Sequence, residues 1–231
     1  MKTQWLIRRL IYALTRFPKR ILRLFTYPFS AFYHHKNGGS LYRSFPLLLA
    51  DCLFIIDIYE ISTNLFKKST RLLTAREIGR GAEIFGKSID FQLVMIDERA
   101  QLLTKSMCVI YVSGNTINSW GAIPDDYLIH ELVHIWQYQH FGAGYIACAL
   151  KAQKSEAGYN YTHVSAQPTE AGIQVDAWHF KPSFLNFNAE QQGDLVQDYF
   201  KLKNNNRTEW VNSKTKDLQK YEPYIEEIKN I

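Results

Sequence analysis

Residues 127–138, Tyr-Leu-Ile-His-Glu-Leu-Val-His-Ile-Trp-Gln-Tyr, constrain this 231-residue chain more than any other segment. Pro124-Asp125-Asp126 ahead of them supply a turn and a carboxylate N-cap, and Gly142 and Gly144 behind them supply a stop. The spacing predicts one helix of about four turns. A helix that is apolar on most of its sides is buried, yet this one carries His130, Glu131 and His134, which without partners would cost several kcal/mol to bury. Histidines four apart lie about 40° from each other around a helix, so both can reach one ion while Glu131 projects beside it. A metal centre accounts for all three residues together. Two core histidines satisfied by carbonyls, with Glu131 surfacing between them, would account for them separately.

Two segments offer a third ligand. His140 follows His134 by six residues, as in a metzincin site, but Gln137 stands where that pattern has a helix-breaking glycine. The methionines are Met1, Met95 and Met107, all upstream, so no Met-turn follows. A continuing helix would carry His140 about 9 Å along the axis and about 240° around from His134. The other segment is Asn188-Ala-Glu190-Gln-Gln-Gly193-Asp194, which opens a second helix with Asn188 as N-cap and Leu195, Val196, Tyr199 and Phe200 behind it. Gly193 is a weak helix former inside it. Glu190 and Asp194 share a face at i, i+4. One carboxylate there can close a His/His/carboxylate zinc site with a position left open for water, and the other can accept the free ring N–H of a ligand histidine. An acidic first turn that merely complements the helix dipole is the alternative.

His130-Glu131-x-x-His134 followed by Glu190-x-x-x-Asp194 resembles the gluzincin clan of zinc metallopeptidases, the thermolysin-like group, in its small bacterial single-domain form. His-Glu-Leu-Val-His-Ile-Trp-Gln is similar to the motif helix of small bacterial zincin domains, and the resemblance covers roughly residues 72–203. It implies Zn2+ on His130, His134 and Glu190, with Glu131 as general base and Asp194 behind the ligands. It further implies hydrolysis of peptide bonds in a peptide or protein substrate. Gluzincins commonly direct a His or Tyr at the developing oxyanion. Tyr159, Tyr161, His163 and His179 lie between the ligands in sequence, and Tyr161 and His179 rank first because they precede the Glu190 helix in order.

The region upstream of the motif fits an α+β, zincin-like fold. Residues 73–85 read as a helix ended by Gly86, residues 89–96 and 107–112 as strands, and Ser113-Gly114-Asn115 as a turn into Thr116-Ile117-Asn118. This predicts a small mixed sheet packed on the motif helix. Its edge, expected over residues 110–117, would pair with an extended peptide; an edge blunted by a loop is the alternative. Residues 152–181 form a long polar stretch able to shape the substrate cleft.

Charge is unevenly divided. Residues 1–50 hold nine of the 27 Lys/Arg and none of the 22 Asp/Glu, leaving +9 on a short arm and −4 on the remaining body. The expected organisation is therefore a basic N-terminal arm, residues 1–40, and a metallopeptidase-like domain, residues 41–231, joined by the Asn37-Gly38-Gly39 stretch. On a helical wheel Arg8, Arg9, Arg16, Lys19, Arg20 and Arg23 occupy an arc of about 120°, opposite Ile7, Leu10, Leu14, Phe17, Ile21 and Phe25. Such a helix, kinked at Pro18, suits an anionic membrane surface through residues 1–30. The alternative is an apolar face packed on its own domain with the basic face solvated. Nucleic acid is disfavoured because the opposite face is too apolar to leave in water.

Arginines at 8, 9 and 16 interrupt any secretory or spanning stretch, and the apolar run 45–58 contains Asp51 and Asp57, which suits a buried helix. Cys52, Cys108 and Cys148 are odd in number and scattered, fitting a reducing compartment rather than a disulfide framework. The expected location is cytoplasmic, at the periphery of the inner membrane. A non-catalytic zincin-like module of a secretion or toxin assembly is the competing functional class.

Overall fold

Three helices form the N-terminal third in the computed structural model, which describes residues 2–26, 41–101, 104–107, 109–163, 183–210 and 217–231. These are α1 (Lys2–Thr26), α2 (Leu41–Cys52) and α3 (Ile55–Phe66). The run expected as one helix over 45–58 is split, because Phe54 takes a left-handed conformation between α2 and α3 (φ 58). Asp51 and Asp57 on either side of that turn are both buried, as the run's composition suggests.

Strand β1 (Thr70–Leu72) leads into α4 (Ala75–Phe85). A capping box starts α4: the Glu77 amide donates to the Thr74 hydroxyl while the Glu77 carboxylate accepts from the Thr74 amide. Next come β2 (Met95–Asp97), the short α5 (Thr104–Met107), β3 (Tyr111–Ser113) and β4 (Thr116–Asn118). The strand expected from residue 89 onward begins only at Met95, because the Asp90 side chain accepts from the Gln92 amide and caps a 3-10 turn over Phe91–Leu93. The four strands lie in the order β1-β2-β4-β3, antiparallel except for the parallel β2–β4 pair, so the protein is of mixed α+β class. Only β3 is an edge of the expected 110–117 hairpin; β4 is covered on both sides. Gly114 (φ +64) makes the hairpin turn, and a side chain there would collide with the Glu60 carboxylate.

Helix α6 (Asp125–Phe141) carries the motif, followed by α7 (Tyr145–Gln153), α8 (Ala189–Lys203) and α9 (Leu218–Asn230). Pro124 takes the cap position of α6 and no side chain caps it, so Asp125 and Asp126 lie in its first turn instead of capping it. Every residue of α6 from Leu128 to Gln139 is buried. With apolar side chains on all sides, it needs neighbours on all sides, and α4, α7, α8 and β3 supply them. The main core joins this helix to Ile84, Phe85, Ile117, Leu195 and Val196.

Helix α1 does not stand off the body. Trp5 Nε1 donates to the Leu93 carbonyl, and Arg23 donates to the His140 carbonyl at the end of α6. Its basic face is turned inward: Arg9 pairs with Asp57 and Glu60, and Arg20 with Asp57. The alternative of an apolar face packed on the domain with the basic face solvated is thereby reversed, because α2 and α3 present buried carboxylates to α1. The expected joining stretch Asn37-Gly38-Gly39 lies outside the described residues, as does Cys108, while Cys52 and Cys148 are buried free thiols. Among the described residues no helix is long and apolar enough to cross a membrane.

Candidate metal centre

Two helices build the site, and local sequence fixes how each presents its side chains. On α8 the Asn188 side chain accepts from the amides of Glu190 and Gln191, while Gln191 Oε1 accepts from the Asn188 amide. This capping box sets the first turn and with it the direction of Glu190. Gly193 then lets α6 come close: a β-carbon there would stand 2.5 Å from His130 Cε1 and 2.7 Å from Nδ1.

His130, His134 and Glu190, all buried, offer one ligand atom each within 4.8 Å of one another. Glu190 Oε2 lies 3.5 Å from His130 Nε2 and 3.5 Å from His134 Nε2. That separation is long for hydrogen bonds, whereas a tetrahedral ion with bonds of about 2.1 Å holds its ligand atoms about 3.4 Å apart.

The remaining ring nitrogens are committed elsewhere. His130 Nδ1 lies 2.9 Å from Asp194 Oδ1, whose partner oxygen accepts from Trp210 Nε1. His134 Nδ1 lies 2.8 Å from Gln137 Oε1. The Gln137 amide nitrogen donates to the Ala189 carbonyl and to Gln192 Oε1, and Gln192 donates in turn to the carbonyls of Phe184 and Phe187. With a carboxylate facing Nδ1 of His130 and an amide oxygen facing Nδ1 of His134, each ring can donate from Nδ1, so that loss of the Nε2 proton would free that nitrogen for an ion. Gln153 and Tyr159 hold the glutamate from outside.

Charge follows the same geometry. Burial disfavours the His130 cation, but Asp194 and Glu190 outweigh it and lift its pKa to about 10. Burial would also neutralise Glu190, yet His134 and His130 hold its carboxyl well below the usual carboxylate range. Glu131 differs: burial dominates over both histidines and raises its pKa. Its Oε2 is buried without a hydrogen-bond partner, and the residue lines a cavity of about 500 Å³. A buried carboxylate oxygen with nothing to accept from is rare unless something external supplies the donor.

The cavity's walls are largely apolar. Residues 109–112, running into edge strand β3, form one side, and Tyr145, Ile146, Ala149 and Leu150 of α7 also line it, with Tyr127 and Trp210. The donor set fits a divalent cation: two imidazoles whose Nδ1 partners turn Nε2 toward the cluster, one ionised carboxylate and a neighbouring space in which a further ligand can stand.

The structure brings His130, Glu131, His134, Glu190 and Asp194 together. Tyr161 is elsewhere: its hydroxyl donates to Asp198 Oδ2 at 2.6 Å and lies 2.9 Å from the Tyr221 hydroxyl, inside the core. The expectation of Tyr161 at the oxyanion is therefore corrected; a phenol buried against a carboxylate serves packing. His179 lies outside the described residues. Tyr159 and Tyr145 flank the ligands instead, with ring centroids 6.1 Å from His130 and 6.0 Å from His134. His140 faces away, its Nε2 2.8 Å from the Ser88 carbonyl. Gln137 was legible in principle, because i, i+3 on a helix brings it beside His134. Nothing local marks Trp210.

No family model matches this chain, and no solved structure matches it. Among curated proteins it is similar to the type VI secretion system spike protein VgrG2b of Pseudomonas aeruginosa, 27% identical over 148 residues. The match covers 58% of this chain but only 13% of that protein.

Proposed function

We propose that the chain is a zinc-dependent peptide hydrolase of gluzincin type, with His130, His134 and Glu190 as the residues that would hold the ion. The observation that carries this reading is Glu131: a buried carboxylate with one unpaired oxygen, set beside a ready-made three-ligand cluster and facing an open cavity. Bound zinc supplies a Lewis acid that polarises a carbonyl and makes water more acidic.

The protein's own groups do the rest. Glu131 takes a proton from the attacking water and returns it to the leaving amine, and burial strengthens it as a base. Asp194 and Gln137 hold the two imidazoles in register. Tyr145, whose ring lines the cavity beside His134, takes the hydrogen-bond donor's place expected from sequence for Tyr161, because the Tyr159 hydroxyl already bonds Glu190. The outer edge of β3, unpaired by any strand among the described residues, offers backbone groups to an extended substrate. Loading the purified protein with zinc and assaying an unbiased peptide mixture tests the reading; activity must vanish in Glu131→Gln at full metal content.

A second reading is a non-catalytic module of a secretion assembly, favoured by the similarity to a protein named as a type VI spike. A structural zinc site needs a fourth protein ligand and no base, whereas here the space beside three ligands holds Glu131. Zinc bound without hydrolysis of any peptide would select this second reading.

A further inference from the structure

Arg9 and Arg20 of α1 face inward and most of its aliphatic residues face out. Arg9 Nη1 is 2.8 Å from Asp57 and Nη2 is 2.6 Å from Glu60; Arg20 pairs with Asp57 and lies 3.6 Å from Asp51, and all of these side chains are buried. On the opposite side Ile7, Leu10, Ile11, Leu14, Leu22 and Phe25 are exposed, Leu14 by 68% and Phe25 by 73%. The α2–α3 hairpin continues the pattern with exposed Leu49, Leu53, Ile55 and Ile58, and with Phe66 at 86%. Phe17 of α1 stacks on Phe54 of the hairpin turn with centroids 5.3 Å apart, so the two apolar surfaces meet.

A unit surrounded by water does the reverse, because hiding paired charges while showing aliphatic side chains loses on both counts. In apolar surroundings ionisable groups turn to the interior and pair with one another, which is the arrangement here. The charge balance selects the occupant. Of the nine Lys/Arg in residues 1–50, Arg9 and Arg20 are buried in ion pairs, and the exposed cations of α1 beside the aliphatic face are Arg8 and Lys19. The acids that meet this helix, Asp51, Asp57 and Glu60, are buried under it and already paired. Exposed cations bordering an aliphatic surface match anionic headgroups above acyl chains.

We propose that the outer face of α1 with the α2–α3 hairpin seats this protein in the interfacial layer of an anionic lipid bilayer. The proposal is independent of the hydrolase reading, because none of these residues lines the metal-site cavity.

Co-sedimentation of the full chain with vesicles of phosphatidylcholine, alone or mixed with phosphatidylglycerol, tests it. The protein is expected to pellet with the mixed vesicles and less with phosphatidylcholine alone. Leu14→Glu with Leu22→Glu should lower that partition about tenfold or more, while Arg8→Glu with Lys19→Glu weakens binding to the mixed vesicles only. If the glutamate pair does not fold by circular dichroism, Leu14→Ala with Leu22→Ala gives a smaller loss in the same direction. Absence of pelleting with mixed vesicles, or equal partition of folded variants, overturns the proposal. A dimer in sedimentation velocity that the Leu14 and Leu22 variants dissolve, without vesicle binding, overturns it in favour of a second copy of the chain.

Discussion

Gly193 lies so close beneath His130 that a β-carbon would stand 2.5 Å from the ring's Cε1. A glycine there weakens the helix by about 1 kcal/mol relative to alanine, and this contact is the compensation. Gly193→Ala is therefore expected to displace His130 and, because the ring is buried against Asp194, to destabilise the metal-free fold by about 1–3 kcal/mol. Zinc affinity should fall by about 10–100-fold, the range for disturbed ligand orientation. Competition with a chromophoric chelator reads this directly, and an unchanged affinity would show that the ring can step aside.

Glu131→Gln preserves shape and removes the base. Metal content should stay at the wild-type level while peptide hydrolysis drops by about 10² or more. Hydrolysis at the wild-type rate would place the base elsewhere.

Ligand identity separates cleanly by position. Glu190→Ala should lose zinc or hold it far more weakly, because Glu190 supplies the third donor atom of the cluster. His140→Ala should keep its metal, since that ring sits on the Ser88 carbonyl. Elemental analysis after dialysis checks both; loss of zinc in the His140 variant alone would reverse the assignment.

Trp210 and Asp194 act on His130 in series. Asp194→Asn should weaken zinc binding by about 10–100-fold, and Trp210→Phe by less, because it removes only the donor behind the carboxylate. Equal losses in the two variants would mean that Trp210 acts by packing instead.

Metal binding should release protons. His130 titrates near 10 in the metal-free site, raised by Asp194 and Glu190 against the opposing effect of burial, so at neutral pH it is protonated and zinc must displace that proton. Apparent affinity should rise with pH until about 10. Calorimetry in buffers of different ionisation enthalpy counts the protons, and a pH-independent affinity between 6 and 9 would contradict the pairing. The same shift has a consequence for the metal-free protein. A histidine raised from 6.5 to about 10 contributes stability that is full below 6.5 and is lost as pH rises through about 10.

The features legible in the chain were those carried by helical periodicity. His130, Glu131 and His134 share a helix, Glu190 and Asp194 share another at i, i+4, and each set stands on the expected element. The α+β class followed from a helix, short β-rich runs and a glycine turn ahead of the motif. The start of β2 and the break between α2 and α3 did not follow, because the Asp90 cap and the Phe54 turn depend on local competition that hydrophobicity does not encode.

By itself the sequence determined which side chains can act together along one helix, since 3.6 residues per turn is a local property of the backbone. Tertiary structure decided everything that depends on which surfaces meet. The wheel of α1 defines two faces but not which one turns inward; buried Asp51, Asp57 and Glu60 on other helices draw the arginines in. Tyr161 and Tyr159 are two residues apart, yet one is bound to Asp198 in the core and the other faces the cavity. Gly193 and Trp210 acquire their roles only where α8 closes on α6 and the segment after α8 folds back on it, because such contacts are set by packing rather than by spacing.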